Sequence, residues 1–297
     1  VRLLATALLA ALSTPAAFGA GAPGVSQKRV VPRGGGVAFG TVFALAMLLL
    51  WLRGLVSTPL TLALSVGGGA ATAIGIVDDV NELRAKTKLM LHIALSVWLC
   101  VVLYEPLLEP AFARQGGGAV FDSVLMLIAL FVPVWLINLY NFIDGADGLA
   151  ISGAVLLCAT ALIILQLGGT SGEITLIVAV LAVCCIAFLP FNLPPAIMFM
   201  GDSGSIFLGY TFAVLVLATV SLDLIRPLTW VAMLGYFIAD TTTTTVCRMF
   251  IVREWYGVHR SHAYQNLARI HRSHGKVTYG IVLYQTLWVL PMAIWSC

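Results

Sequence analysis

Windows of about nineteen residues that are apolar almost throughout recur along the chain, at 1–20, 36–52, 55–77, 89–107, 121–139, 149–167, 174–192, 206–222, 228–250 and 278–296. A run of about 20 apolar residues is the length of a helix that crosses the hydrocarbon core of a bilayer. Inside that core every backbone N–H and C=O must be satisfied within the protein, which leaves only helices and closed barrels. Barrel strands would alternate over roughly ten residues with a polar lumen face, and no such alternation is present. The composition agrees: 60% of residues are apolar and 10% charged, against about 25% charged in a soluble domain. The sequence therefore reads as all-α, a polytopic integral membrane protein with about ten transmembrane helices. A signal peptide is the rival reading of residues 3–20, but the many spans that follow favour a first helix. The chain opens on Val1 rather than Met, as expected of an unusual start codon or a fragment. A net charge of +3 without a basic stripe excludes nucleic acid as a partner. The six cysteines lie in or beside apolar segments with no CxxC, as small buried hydrophobes do.

Charge orients the bundle. Alternating connections put 21–35, 78–88, 140–148, 193–205 and 251–277 on one side. That side, with Arg248 at its helix end, carries Lys28, Arg29, Arg33, Arg84, Lys86, Lys88, Arg248, Arg253, Arg260, Arg269, Arg272 and Lys276, and the other only Arg53, Arg114 and Arg226. The positive-inside rule makes the first side cytoplasmic. The acids Asp78, Asp79, Glu82, Asp144, Asp147, Asp202 and Glu254 fall on that same side, with Asp240 within reach. A transporter places ionisable groups near the midplane; clustering at one face instead indicates a site that opens to the cytoplasm.

Four constellations supply the chemistry. Asp78-Asp79 ends the third apolar run; adjacent carboxylates repel, so they call for a cation or a shared proton, and a metal site or general base is natural there. Lys86 and Lys88 either hold phosphate or snorkel. Asn138, Asn141, Asp144 and Asp147 recur every three residues, so on a helical turn they would share a face. Oxygen-only ligands of this kind suit Mg²⁺ completed by substrate phosphates; the pattern of a calcium loop is absent. Asp202 stands between glycines at the start of the eighth run, where helix-terminal N–H groups attract phosphate. Val258-His-Arg-Ser-His-Ala-Tyr-Gln265 and Ile270-His-Arg-Ser-His274 contain two His-x-x-His pairs. No cysteine joins them to favour zinc, and Arg260 offers a planar fork for phosphate. Asp240 and Thr241–Thr245 end the preceding run, where the threonines can satisfy their own backbone carbonyls. His92 reads as a packed histidine, and Pro32-Arg-Gly-Gly-Gly36 as either a simple loop or a phosphate-facing one. Together these supply carboxylates for a divalent metal, cations for phosphates and a membrane wall for a lipid. That is equipment for phosphoryl transfer between a soluble and a membrane-embedded phosphate ester.

In family order, Asp78-Asp79, Asn138-x-x-Asn141-Phe-Ile-Asp144-Gly-x-Asp147-Gly-Leu-Ala, Gly201-Asp202-x-Gly-Ser-x-Phe-Leu-Gly and His259-Arg-x-His262-x-Tyr-Gln resemble the polyprenyl-phosphate N-acetylhexosamine-1-phosphate transferases. The form of the histidine motif, with Pro32-Arg-Gly-Gly-Gly36, looks most like the O-antigen-initiating branch, which serves lipopolysaccharide biosynthesis. The resemblance implies a multi-pass enzyme of the bacterial inner membrane. It would move HexNAc-1-phosphate from a UDP-N-acetylhexosamine to undecaprenyl phosphate and release UMP, by direct displacement or through an aspartyl intermediate. It implies Mg²⁺, with Mn²⁺ as a substitute, bound by Asp202 with Asn141 as second ligand. It places Asp144 and Asp147 on the nucleotide side with Asn138, Asp78 or Asp79 beside the lipid phosphate with Lys88 nearby, and His259, Arg260 and His262 on the diphosphate or sugar. The lipid bilayer, a homodimer partner and downstream glycosyltransferases complete the implied associations. A transporter or flippase of a related lipid-linked or nucleotide sugar is the alternative. All of 1–297 reads as one multi-span transferase domain. Two departures accompany the resemblance. Family members often continue for a further C-terminal span, and Gly24-Val-Ser-Gln-Lys-Arg-Val-Val stands where an acidic, Asn-bearing segment is usual.

Overall fold

The computed structural model describes residues 31–251 and 261–295. The expected first span at 1–20, and the residues Glu254, His259 and Arg260, lie outside them. Among the described residues the chain is helical, with no strand. Seven helices are long and apolar enough to cross a membrane: α1 Gly35–Leu52, α2 Thr58–Asn81, α3 Ala85–Gln115, α4 Gly118–Ile143, α5 Leu149–Leu167, α6 Glu173–Asn192 and α7 Asp202–Ser221. They are followed by α8 Pro227–Met233, α9 Gly235–Ile251, α10 Ala263–His271, α11 His274–Tyr284 and α12 Leu290–Trp295. The expected span at 228–250 is thus divided between α8 and α9, and that at 278–296 passes through a π-helical stretch, Gln285–Val289, between α11 and α12. The polytopic helical reading holds, with seven single-helix spans among the described residues.

The helix that organises the bundle is α7. Buried residues make up 94% of its membrane window, against 22% for α4, and it packs on α4, α2 and α1. Lipid tails are as apolar as leucine, so helices associate in a membrane by close packing of small residues. Gly204 of α7 meets Gly36 of α1, Gly75 of α2 lies against Ser203, and a Cβ on Gly209 would come within 2.6 Å of the backbone of α4 at Ile137. Further along, a π-helical stretch of α2, Leu62–Gly67, wraps the ring of Tyr210. The Tyr210 hydroxyl donates to the Ala63 carbonyl at 3.0 Å. In α4, Pro133 removes a helical N–H, and one turn before it Ser96 of α3 donates to the Leu130 carbonyl at 2.6 Å.

Seven alternating helices bring the start of α1, α3, α5 and α7 and the end of α2, α4 and α6 to one end of the bundle. The opposite end is stapled. Glu173 accepts the Ser57 N–H at 2.7 Å, and Arg114 reaches the Ser221 carbonyl and, at 3.3 Å, the Asp223 carboxylate. Four cysteines are buried as expected, whereas Cys247 is exposed.

Candidate active site

Asp202 is the first residue of α7. Its Oδ1 accepts from Asn141 of α4 at 3.0 Å, and its Oδ2 accepts from Lys88 of α3 at 3.2 Å. Lys88 also pairs with Oδ2 of Asp78 at the end of α2. Asp78 Oδ1 accepts the Leu83 N–H at 2.8 Å, which closes the turn between α2 and α3. Asp79, rotated about 100° around the helix from its neighbour, faces α7 instead. Its two oxygens accept the N–H groups of Asp202 and Ser203 at 3.0 and 3.1 Å. Asp79 therefore caps α7 from another helix, where an anion meets orphan donors and the positive end of the helix dipole. Gly201 makes this approach possible: its φ is +73°, and a Cβ there would stand 2.6 Å from the Asp79 carboxylate. The adjacent acids thus have separate partners, and the N–H groups expected to face phosphate are engaged by Asp79.

The four polar residues at three-residue spacing do not share a face, because α4 ends at Ile143. Asn138 turns onto its own helix, donating to the Val134 carbonyl at 2.7 Å. Asn141 donates to Asp202 and, at 3.2 Å, to Ser205; both bonds use its nitrogen, which leaves Oδ1 to serve a ligand. Asp144 sits in the turn, half-buried. Burial, then the charges of Asp202 and Asp79, push its carboxyl well above the usual range, against the opposing pull of Arg33. Asp147 is 6% exposed. Its Oδ2 accepts the Ala196 N–H at 3.2 Å, its Oδ1 lies 3.2 Å from His274 Nδ1, and its carbonyl accepts from Thr278 at 2.7 Å. Burial raises the Asp147 carboxyl, but the bonds from His274 and Ala196 outweigh it and hold the group below its ordinary value. The same contact raises His274.

Asp240 of α9 is also enclosed, and its oxygens accept the Ala263 and Tyr264 N–H groups at 2.7 and 3.2 Å, capping α10. His262 stands 3.5 Å from the same carboxylate and stacks on Tyr264 with ring centroids 5.8 Å apart. The Tyr264 hydroxyl donates to the Phe142 carbonyl at 2.7 Å, so this motif is pinned to the end of α4. Within the threonine run, Thr241 bonds the Phe237 carbonyl and Thr244 the Asp240 carboxylate. No three His, Cys, Asp or Glu side chains converge to hold a metal by themselves among the described residues. His262 and His274 instead face separate carboxylates. His92 is packed, at 1% exposure.

Pro32-Arg-Gly-Gly-Gly36 is a packing joint. Phe199 N–H donates to the Pro32 carbonyl, and the Gly35 and Gly36 N–H groups donate to the Phe199 and Met200 carbonyls, at 2.9 to 3.1 Å. These amides are engaged, which removes them as phosphate donors. Asn192 belongs to none of the four motifs. Buried at the end of α6, it accepts the Gly148 N–H at 3.1 Å and donates to the Met198 carbonyl at 2.9 Å. A lone Asn inside an apolar run, directly before Leu193-Pro194-Pro195, was the available signal.

The geometry is thus a carboxylate cluster, bridged by one lysine, at the end of an apolar bundle. The family model for glycosyl transferase family 4 matches residues 61–220, and the chain belongs to that family. It is 28% identical over 253 residues to a probable undecaprenyl-phosphate N-acetylglucosaminyl 1-phosphate transferase of Bacillus subtilis, covering 84% of this chain and 68% of that protein. It is 32% identical to a decaprenyl-phosphate N-acetylglucosaminephosphotransferase of Mycobacterium leprae, covering 87% and 70%. A phospho-N-acetylmuramoyl-pentapeptide-transferase of Heliobacterium modesticaldum is 35% identical, over 74% of this chain and 69% of its own.

Proposed function

We propose that the chain transfers HexNAc-1-phosphate from a UDP-N-acetylhexosamine to a polyprenyl phosphate, undecaprenyl phosphate in the first instance, and releases UMP. The observation that carries this reading is Asp202 at the start of the buried helix α7, flanked by Lys88 of α3 and Asn141 of α4 at one end of a membrane bundle. The names of the relatives support the same reaction class. In the step, an oxygen of the lipid phosphate bonds to the sugar-bearing phosphorus. The bond from that phosphorus to the bridging oxygen breaks, and UMP leaves with the electron pair.

The donor set fits Mg²⁺, or Mn²⁺ in its place. It is made of oxygens, and without a closed protein cage the shell is completed by substrate phosphates, as Mg²⁺ prefers. Asp202 and the Asn141 Oδ1 would hold the ion, which when bound neutralises charge on the phosphates. Asp79 fixes the start of α7, so Asp78 takes the task of orienting the lipid phosphate or accepting its proton, with Lys88 attracting that phosphate. Asp144 lines the nucleotide side. His262, pinned to α4 through Tyr264, would face the diphosphate; His259 and Arg260 take the same task by the motif alone. The charge asymmetry of twelve basic residues against three supports a site on the cytoplasmic face of the bacterial inner membrane. The form of the histidine motif supports an O-antigen-type product.

Purified protein is expected to release UMP from a UDP-HexNAc only with polyprenyl phosphate and Mg²⁺ present. A panel of UDP-GlcNAc, UDP-GalNAc and 6-deoxy UDP-HexNAc donors identifies the sugar. Turnover without lipid would contradict the reading.

A further inference from the structure

The turn from Asp144 to Gly148 joins α4 to α5 and holds Asp144, whose carboxyl feels the charges of Asp202 and Asp79. It has little regular structure, so its position depends on anchors outside it. Asn192 of α6 holds the Gly148 N–H, and the Ala196 N–H holds Asp147 Oδ2. Tyr264 of α10 lies against Gly145, and two further anchors come from α11: His274 on Asp147 Oδ1 and Thr278, fully buried one turn later, on the Asp147 carbonyl. His274 is itself fixed, because Ser273 caps α11 by accepting the Lys276 N–H at 3.3 Å. The adjacent Gly275 lies against Pro194, in the same loop as Ala196. Both Asp147 oxygens are engaged and the residue is almost fully enclosed. The carboxylate is therefore poorly placed to meet a nucleotide itself and well placed to transmit a constraint.

We infer that His274 is a positioning residue for the donor side of the site, acting through Asp147 to hold the turn that carries Asp144. This rests on the transferase reading, and it gives a task to His274 of the second His-x-x-His pair, which that reading leaves unused. Displacements of about 1 Å in a catalytic constellation cost on the order of 10²-fold in rate, so one hydrogen bond at this turn suffices to matter. His274→Phe keeps a ring but loses the Nδ1 contact, and His274→Asn restores a donor near the Nδ1 position. The donor KM of His274→Phe is expected to rise roughly tenfold, within the range such displacements produce. The polyprenyl phosphate KM should stay unchanged, and His274→Asn should recover most of the loss. Hydrogen–deuterium exchange of the peptide spanning 141–150 is expected to quicken in His274→Phe and to return toward wild type in His274→Asn. If His274→Phe does not accumulate, Asp147→Asn, which weakens the same contact, is read in the same way.

Wild-type donor KM and exchange in His274→Phe would overturn the inference. So would a lower melting temperature with kcat and both KM values unmoved, the mark of a purely structural contact. If wild-type protein turns over no UDP-HexNAc at all, the transferase reading fails, and the exchange experiment alone decides the tether: quickened exchange supports it and unchanged exchange removes it.

Discussion

The buried acids of this protein fall into two groups that share a residue type and little else. Asp79, Asp147 and Asp240 each accept backbone N–H groups, and the latter two also meet a histidine. Their charges are met by the protein itself. Asp78 and Asp202 are different: they share the single ammonium of Lys88, to which Asp78 adds one backbone N–H, that of Leu83, and Asp202 only a neutral carboxamide. A buried charge without full compensation is costly, and such a cost is retained where a ligand completes the site. On the proposed function, the contrast separates acids that build the site from acids that would meet the substrates, although all five stand at the same end of the bundle.

The sharpest way to break this division is to neutralise one acid from each group. Asp78→Asn is expected to lower kcat by about 10²- to 10³-fold, the range for loss of one preorganised electrostatic contact, with melting in detergent nearly unchanged. UMP release measured beside a thermal melt checks both halves. Next in size is Gly75→Ala. Its Cβ would strike the backbone of Asp202 and Ser203, and such overpacking costs about 1–3 kcal/mol. A lower melting temperature is expected together with lost turnover, because Asp202 moves with the helix start. Asp240→Asn keeps an acceptor for α10, so about 1 kcal/mol of stability is expected to go, read as a small shift in melting and only a modest fall in kcat.

The smallest effect is one of pH. Asp147 raises His274 above its usual 6.5 and is itself held below 3.8. A raised histidine contributes stability below its unfolded value and loses it as pH rises through the folded one; a depressed carboxylate loses its contribution only as pH falls through its lowered value. The charged pair is therefore intact between those limits and weakens on the alkaline side. Asp147 is the one titratable group acting on His274 among the described residues. Donor KM is expected to rise roughly threefold from about pH 6 to about pH 9, as a charge-assisted bond becomes a neutral one. The slope should be shallower in His274→Asn.

Most of the fold was legible because apolar run length is a direct physical signal in a membrane protein. Asp202 was legible as a helix start through its glycine neighbours, although α7 starts about one turn earlier than the apolar window at 206–222. The role of Asp79 was not, since its partners lie 123 and 124 residues away. The pairing of Asp147 with His274 spans 127 residues and was equally hidden. The expected shared face of Asn138, Asn141, Asp144 and Asp147 failed for a reason the sequence did contain. Asp144-Gly145 and Asp147-Gly148 are turn dipeptides, and they outweigh a three-residue spacing. The glycines of Pro32-Arg-Gly-Gly-Gly36 suited phosphate and close packing alike, and only the positions of Phe199 and Met200 distinguish the two.

The most direct measurement is UMP release by wild type and Asp202→Ala at saturating donor, polyprenyl phosphate and Mg²⁺, with melting recorded on the same samples. Loss of about 10³-fold in kcat, the upper range for removal of one electrostatic contact, with unchanged melting is the expected result. Full activity in Asp202→Ala would contradict the assignment of Asp202 to the reacting centre.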